Sequence, residues 1–274
     1  MKLGISLRLM GPQSTRDTIV ECAQAAEEAG LDDLWVPDHI AIPPDDSEGS
    51  GGRYLDPLVS LAYLAAKTSR IGLGTGILNL PYRPPLPTAK VLATLQELSL
   101  GRLRLGIGVG WMEAEFRALG VDRRKRGRIT DETLAFFVEC FERDEVEANG
   151  QTFLFLPRPA KPPIYVGGSG THALERVVRH ADGWFPMGGD PAKLAPEIAR
   201  LRELAAEAGR PDPEVILLTG LAIDDAAAAR ERIATFADIG VTQIAVGTRY
   251  KDADAFRRQV EVLARDVLPA AREH

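Results

Sequence analysis

The chain has 274 residues, with 33 Lys and Arg against 39 Asp and Glu and a net charge of −6, a balance that gives no general attraction to nucleic acid or to an anionic membrane. The length fits one domain with a sizeable core. The only cysteines, Cys22 and Cys140, show no metal-ligand spacing, which argues against a disulfide scaffold or a zinc site and fits a reducing cytoplasm.

The opening residues 1–11 carry no small-residue cleavage site, so no signal peptide is expected. No apolar run approaches the roughly 18 residues of a membrane span. Short apolar runs at residues 3–7, 33–37, 71–76, 103–109, 163–166, 183–187, 215–222 and 243–246 predict strands. Helical spacing fills the gaps between them. Ser14, with Asp17 three residues on, is the expected cap of the first helix, and Gly30 lies past its end. Asp56-Pro57 and Asp190-Pro191 each place a capping residue before a first-turn proline. Strands and helices alternating in this way to the end predict an α/β fold, a (β/α)8 TIM barrel, with one domain over residues 1–274. One stretch breaks the alternation, an insertion after the fourth strand at about residues 110–160. Within it Asn149-Gly150, between Val-Glu-Ala and Gln-Thr-Phe, predicts a small hairpin.

Four segments carry chemistry. The second strand ends at Asp38-His39, which would deliver an acid and an imidazole to one rim of a barrel. A lone histidine after a strand is often only a satisfied, partly buried residue, so the pair gains weight from other groups at the same rim. The third strand leaves through Gly72-Leu-Gly-Thr75-Gly76-Ile77, where glycines permit a bulge beneath a flat ligand, with Asn79, Tyr82 and Arg83 as polar and aromatic contacts. In the fourth, Gly106-Ile-Gly108-Val-Gly110 leaves space at the rim without matching a nucleotide fingerprint. The segment Gly167-Gly168-Ser169-Gly170-Thr171 follows a strand and opens a helix, so its amides and hydroxyls form a phosphate cradle, with Gly188 after the next strand as its neighbouring wall.

Together with Gly110-Trp111-Met112-Glu113-Ala114-Glu115-Phe116 and Arg117-Ala118-Leu119-Gly120, these segments resemble the bacterial luciferase-like monooxygenase family, and most of all its branch that uses the deazaflavin coenzyme F420. The resemblance implies a barrel, usually homodimeric, that holds the cofactor at its carboxyl-terminal rim. It implies a catalytic role for His39 with Asp38 as its neighbour and no metal. It further implies that Asp38, Asn79, Gly108 and Met187 border the cofactor, that Thr75, Gly76 and Ile77 form a bulge, often with a cis peptide, behind the ring, and that Gly167 to Thr171 with Gly188 hold the phosphate. Sugar-phosphate dehydrogenases of the branch carry a glutamate where this chain has Gly108-Val-Gly-Trp111, so sugar-phosphate oxidation is not expected; Glu113 and Glu115 stand nearby without an assigned role.

The expected activity is hydride transfer between F420 and a small organic substrate, because a flat redox ring needs an apolar floor, a polar edge and an anchored tail, and each has a candidate here. The alternative is a monooxygenase using reduced FMN and oxygen. A phosphate-binding barrel lyase or isomerase is more remote, since no strand end offers a lysine.

Overall fold

The computed structural model describes residues 1–45 and 49–274. Ten strands occur among them: β1 (Lys2–Ser6), β2 (Asp33–Val36), β3 (Gly72–Asn79), β4 (Leu103–Gly108), β5 (Glu145–Ala148), β6 (Gln151–Leu154), β7 (Ile164–Gly167), β8 (Gly183–Phe185), β9 (Glu214–Thr219) and β10 (Gln243–Val246). Eight of them close a parallel barrel in the order β1-β10-β9-β8-β7-β4-β3-β2. The helices are α1 (Arg16–Glu28), α2 (Pro57–Ala65), α3 (Pro85–Leu98), α4 (Glu113–Ala118), α5 (Arg126–Glu142), α6 (Thr171–His180), α7 (Pro191–Glu207), α8 (Ala226–Asp238), α9 (Ala253–Val262) and α10 (Leu268–Arg272). The expected TIM barrel with an insertion after its fourth strand is present. Within that stretch α5 packs against α3 and α6 and so takes the place of an outer barrel helix. The additions are α4 and the antiparallel β5–β6 hairpin, whose Asn149 and Gly150 both have positive φ as a two-residue turn of this hand requires.

Strand periodicity sorts the side chains into two layers. Leu34, Val36, Leu217, Ile244 and Val246 face the helices in the main core, whereas Trp35, Tyr165, Phe185, Ile216 and Ala245 pack inside the barrel. Three aromatic rings fill this interior because glycines stand opposite them. A Cβ on Gly4 would lie 2.7 Å from the Trp35 indole nitrogen, and Cβ atoms on Gly74 and Gly106 would run into Trp35 and into the Thr75 carbonyl. The amino-terminal floor is polar and paired, with Gln243 donating to Asp33 at 2.7 Å and the Tyr165 hydroxyl donating to Glu214 at 2.7 Å. Burial pushes the Asp33 carboxyl above its usual range.

The caps of α2 and α7 are Asp56 and Asp190, as expected. The first helix is capped by Thr15, which accepts from the Thr18 amide, rather than by Ser14. Ser14 is buried, donates to the Gly11 carbonyl and accepts from Arg53, so its hydroxyl is already committed to these two residues.

Candidate active site

At the carboxyl-terminal mouth of the barrel a cavity of about 530 Å³ is bordered by Pro37, Asp38 and His39 after β2, by Gly76, Ile77 and Asn79 of β3, by Trp111, and by residues that follow β1, β8, β9 and β10. Its floor is the irregular end of β3. Pairing with β4 slips between Thr75 and Leu78, and the Gly76–Ile77 peptide is cis, which matches the expected bulge. The extra residue turns Ile77 toward the interior, and its side chain fills the room left by Gly108 and Gly167, where any Cβ would collide with it.

His39 stands at one wall. Its Nδ1 lies 3.0 Å from Glu115 Oε2, Tyr54 is tilted against it at 5.0 Å, and Trp111 meets it edge-on at 6.1 Å. Glu115, in α4, is wholly buried yet saturated: Oε1 accepts from the amides of Ile40 at 2.6 Å and Ala41 at 3.1 Å, and Oε2 also accepts from the Tyr82 hydroxyl at 2.9 Å. Burial alone would raise its pKa; the hydrogen bonds from His39 and the two amides outweigh burial and hold it at about 2. Because that carboxylate is ionised, His39 Nδ1 must carry the hydrogen and Nε2 is the lone-pair nitrogen in the neutral ring.

Asp38, expected beside His39 in the chemistry, is placed otherwise. Its carboxylate is fully buried and gripped at both oxygens by Arg83, at 2.6 and 2.8 Å, while Oδ2 also accepts from the Asn79 amide at 2.8 Å. Burial pushes this carboxyl upward against the pull of Arg83. Arg83 continues to Asp56 at 2.9 Å, which caps α2. Both oxygens of the acid are therefore committed to bracing the rim. Asn79 serves the same brace, donating through Nδ2 to the Asp38 carbonyl at 3.0 Å. Thr75, expected against the cofactor, lies behind the floor, buried, with its hydroxyl donating to the Gly106 carbonyl at 2.6 Å. Gly108 likewise stands under Ile77 and does not border the cavity.

The glycine segment lies along the same rim. Gly168 and Ser169 border two further cavities, of about 670 and 660 Å³. The first is walled by Met187, Gly188 and Lys193 together with Asp190 and Glu197; the second by Arg124, Arg126, Arg128, His172 and Arg176 together with Asp131 and Glu132. Met187 is shared with the cavity at His39, so the hollows follow one another along the barrel mouth. Gly168 and Gly170 have φ of +100° and +77°, conformations open to glycine, and Gly170 is the residue before α6. The amides of Thr171 and His172, at the first two positions of α6, point out of the helix start as an anion site needs. Gly170 itself departs from the expected role, because its amide is taken by Glu197 Oε1 at 3.0 Å. The residues thus fit a ring on Ile77 with a phosphate at Ser169 to His172. Glu115, Tyr82 and Arg83 acquire inward roles that a linear reading left open. Arg8, Thr248 and Arg249, which also border this cavity, had no signal beyond their position after β1 and β10. Among the described residues no acidic, histidine or cysteine cluster suited to a metal occurs.

The parallel barrel thus gathers an imidazole, a bulged apolar floor and a glycine-rich helix start on its carboxyl-terminal rim, the face on which barrel enzymes carry their sites. The chain belongs to the luciferase-like monooxygenase family, whose model matches residues 3–273. An uncharacterized protein of Mycobacterium tuberculosis is 34% identical over 251 residues, covering 84% of each chain. The F420-dependent hydroxymycolic acid dehydrogenase of the same organism is 32% identical over 243 residues, covering 83% of this chain and 65% of that protein. Among solved structures, an F420-dependent secondary alcohol dehydrogenase superposes with a TM-score of 0.82 at 18% identity over 99% of both chains. A type II Baeyer-Villiger monooxygenase from Pseudomonas putida in complex with FMN superposes with a TM-score of 0.80 at 16% identity over 98% of both. At those identities the two structures speak for the fold alone.

Proposed function

We propose that the protein is an F420-dependent oxidoreductase that moves hydride between the deazaflavin and a small organic substrate held in the cavity at His39. The observation that carries this reading is the placement of His39, backed by Glu115, beside the Gly76–Ile77 bulge in one cavity. The choice of F420 over FMN is supported by the 32% identical F420-dependent dehydrogenase.

F420 supplies the hydride chemistry when bound. Ile77 gives the ring an apolar seat, and the amides of Thr171 and His172 with the Ser169 hydroxyl hold its phosphate. Glu115 keeps His39 in the Nδ1–H form, and His39 holds or returns a proton through Nε2 at the substrate oxygen as the carbonyl and alcohol levels interconvert. Trp111 and Tyr54 narrow the wall around the imidazole.

A second copy of the chain fits the exposed apolar row of Val59 and Tyr63 on α2 and Val91 and Leu98 on α3, two helices that pack side by side. A cytoplasmic location suits two buried, unpaired thiols.

Titration of the apoprotein with F420 and separately with FMN, followed by quenching of tryptophan emission, tests the cofactor. Tight F420 and weak FMN binding is the expected result. Preference for FMN would replace this reading by the monooxygenase, and binding of neither would remove the redox reading altogether.

A further inference from the structure

The wall of the cavity next to His39 is made by the continuation of β1, the strand that pairs with β2, and by the loop after β10. The two are tied together: the Thr248 hydroxyl donates to the Ser6 carbonyl at 3.1 Å, and the Arg8 amide donates to the Tyr250 hydroxyl at 2.9 Å. Leu3, Ile5, Leu7 and Leu9 are all in the helix-facing core, so the alternate set, Gly4, Ser6 and Arg8, faces the barrel axis. Arg8 and Arg249 both border the cavity.

Neither guanidinium has an ion-pair partner among the described residues. The Nε of Arg8 is buried without an acceptor, the kind of unmade bond that folded chains avoid unless a ligand completes it. The cavity's own carboxylate offers no compensation, because Asp38 is fully engaged by Arg83. Glu115 is likewise saturated behind His39. Among the described residues, this part of the barrel mouth therefore presents two guanidinium groups without ion-pair partners in the same cavity as the imidazole.

We infer that the substrate carries a carboxylate, seated on Arg8 with Arg249 beside it, and that this anchor sets its reacting carbon within the cavity that His39 borders. A guanidinium with an orphaned N–H in a partly desolvated hollow recognises a planar anion bidentately and discriminates strongly against the neutral amide of the same shape. The inference rests on the proposed function for the identity of the cavity as the reaction site. Anion recognition itself is measured without turnover, so failure of the cofactor reading and failure of this one are separable.

The experiment uses the full chain, with and without F420. Acetate, butyrate, octanoate, benzoate and phenylacetate are each compared with the corresponding primary amide at constant ionic strength, by quenching of tryptophan emission checked by calorimetry. At least one acid is expected to bind about tenfold or more tightly than its amide. That preference is expected to vanish in Arg8→Met, to survive in reduced form in Arg8→Lys, and to fall less in Arg249→Met, while F420 affinity stays within about twofold. Equal binding of acids and amides by the wild type overturns the inference. So does an Arg8→Met variant, folded by circular dichroism, that keeps the acid preference, or one that loses F420 affinity instead, which would assign Arg8 to the cofactor.

Discussion

Glu115 and His39 are 76 residues apart in sequence and 3.0 Å apart in space, and the same carboxylate holds the amides of the two residues that follow His39. One buried side chain therefore fixes the tautomer of the imidazole, its orientation and the path of the chain leaving β2. Glu115→Gln keeps the shape but turns an acceptor-only group into one that is also a donor, so it no longer enforces Nδ1–H. The expected outcome is a fall in kcat of about a hundredfold with little change in F420 affinity. A variant with unchanged kcat would show that the pair only shapes the loop.

The same residue makes a prediction about stability and pH. The folded pKa of Glu115 is held at about 2, below its ordinary 4.5. A carboxyl whose folded pKa is depressed contributes stability that is present above the unfolded pKa and is lost as pH falls through the folded one. Wild type should exceed Glu115→Gln in unfolding free energy by on the order of 3 kcal/mol at neutral pH. The difference should begin to shrink below about pH 4.5 and be largely gone near pH 2. Urea unfolding at pH 7, 5, 4 and 3 measures it, and a gap that stays constant over that series would contradict the assignment.

Arg83 ties three elements through Asp38 and Asp56. Arg83→Met leaves the buried Asp38 carboxylate without its fork, and stripping one partner from a buried pair costs about 3–5 kcal/mol. Denaturant midpoints should fall accordingly. Arg83→Lys should recover only part of the loss, since an ammonium does not span both oxygens. Full recovery by lysine would mean that charge alone, without the planar fork, holds the rim.

Gly108 has no room for a side chain, because Ile77 lies over it. Gly108→Ala should push the Ile77 side chain into the cavity and weaken F420 binding about tenfold, equivalent to ~1.4 kcal/mol. Combining it with Ile77→Val, which removes the colliding methyl group, should restore most of the affinity. If the double variant binds no better than Gly108→Ala alone, the loss comes from backbone strain and the seat lies elsewhere.

The barrel was legible because short apolar runs and capped helices alternate along the chain, and the Asp56-Pro57 and Asp190-Pro191 starts are local signals that tertiary packing did not override. Ser14 and Thr15 could not be told apart from sequence, since either can cap and only the contact with Arg53 commits Ser14 elsewhere. His39, Ile77 and the glycine segment announced themselves at strand ends. Asp38 looked like an acid for chemistry because nothing in its neighbourhood of the chain reveals that Arg83, 45 residues on, will close on it. Glu115 was visible as a residue and opaque as a role, for its partners come from residues 39–41 and 82. Arg8 carries no sequence signal, since its place at the cavity depends on the barrel closing β1 against β10.

The hollows along the barrel mouth hang from different strands. The cradle at Gly168 and Ser169 belongs to β7 and the start of α6, while the wall with Arg8 and Thr248 belongs to the ends of β1 and β10. On the function proposed above, mutations on the β1–β10 side would leave the grip on the cofactor's tail intact, so a descendant of this chain could trade one substrate for another while keeping the same source of electrons.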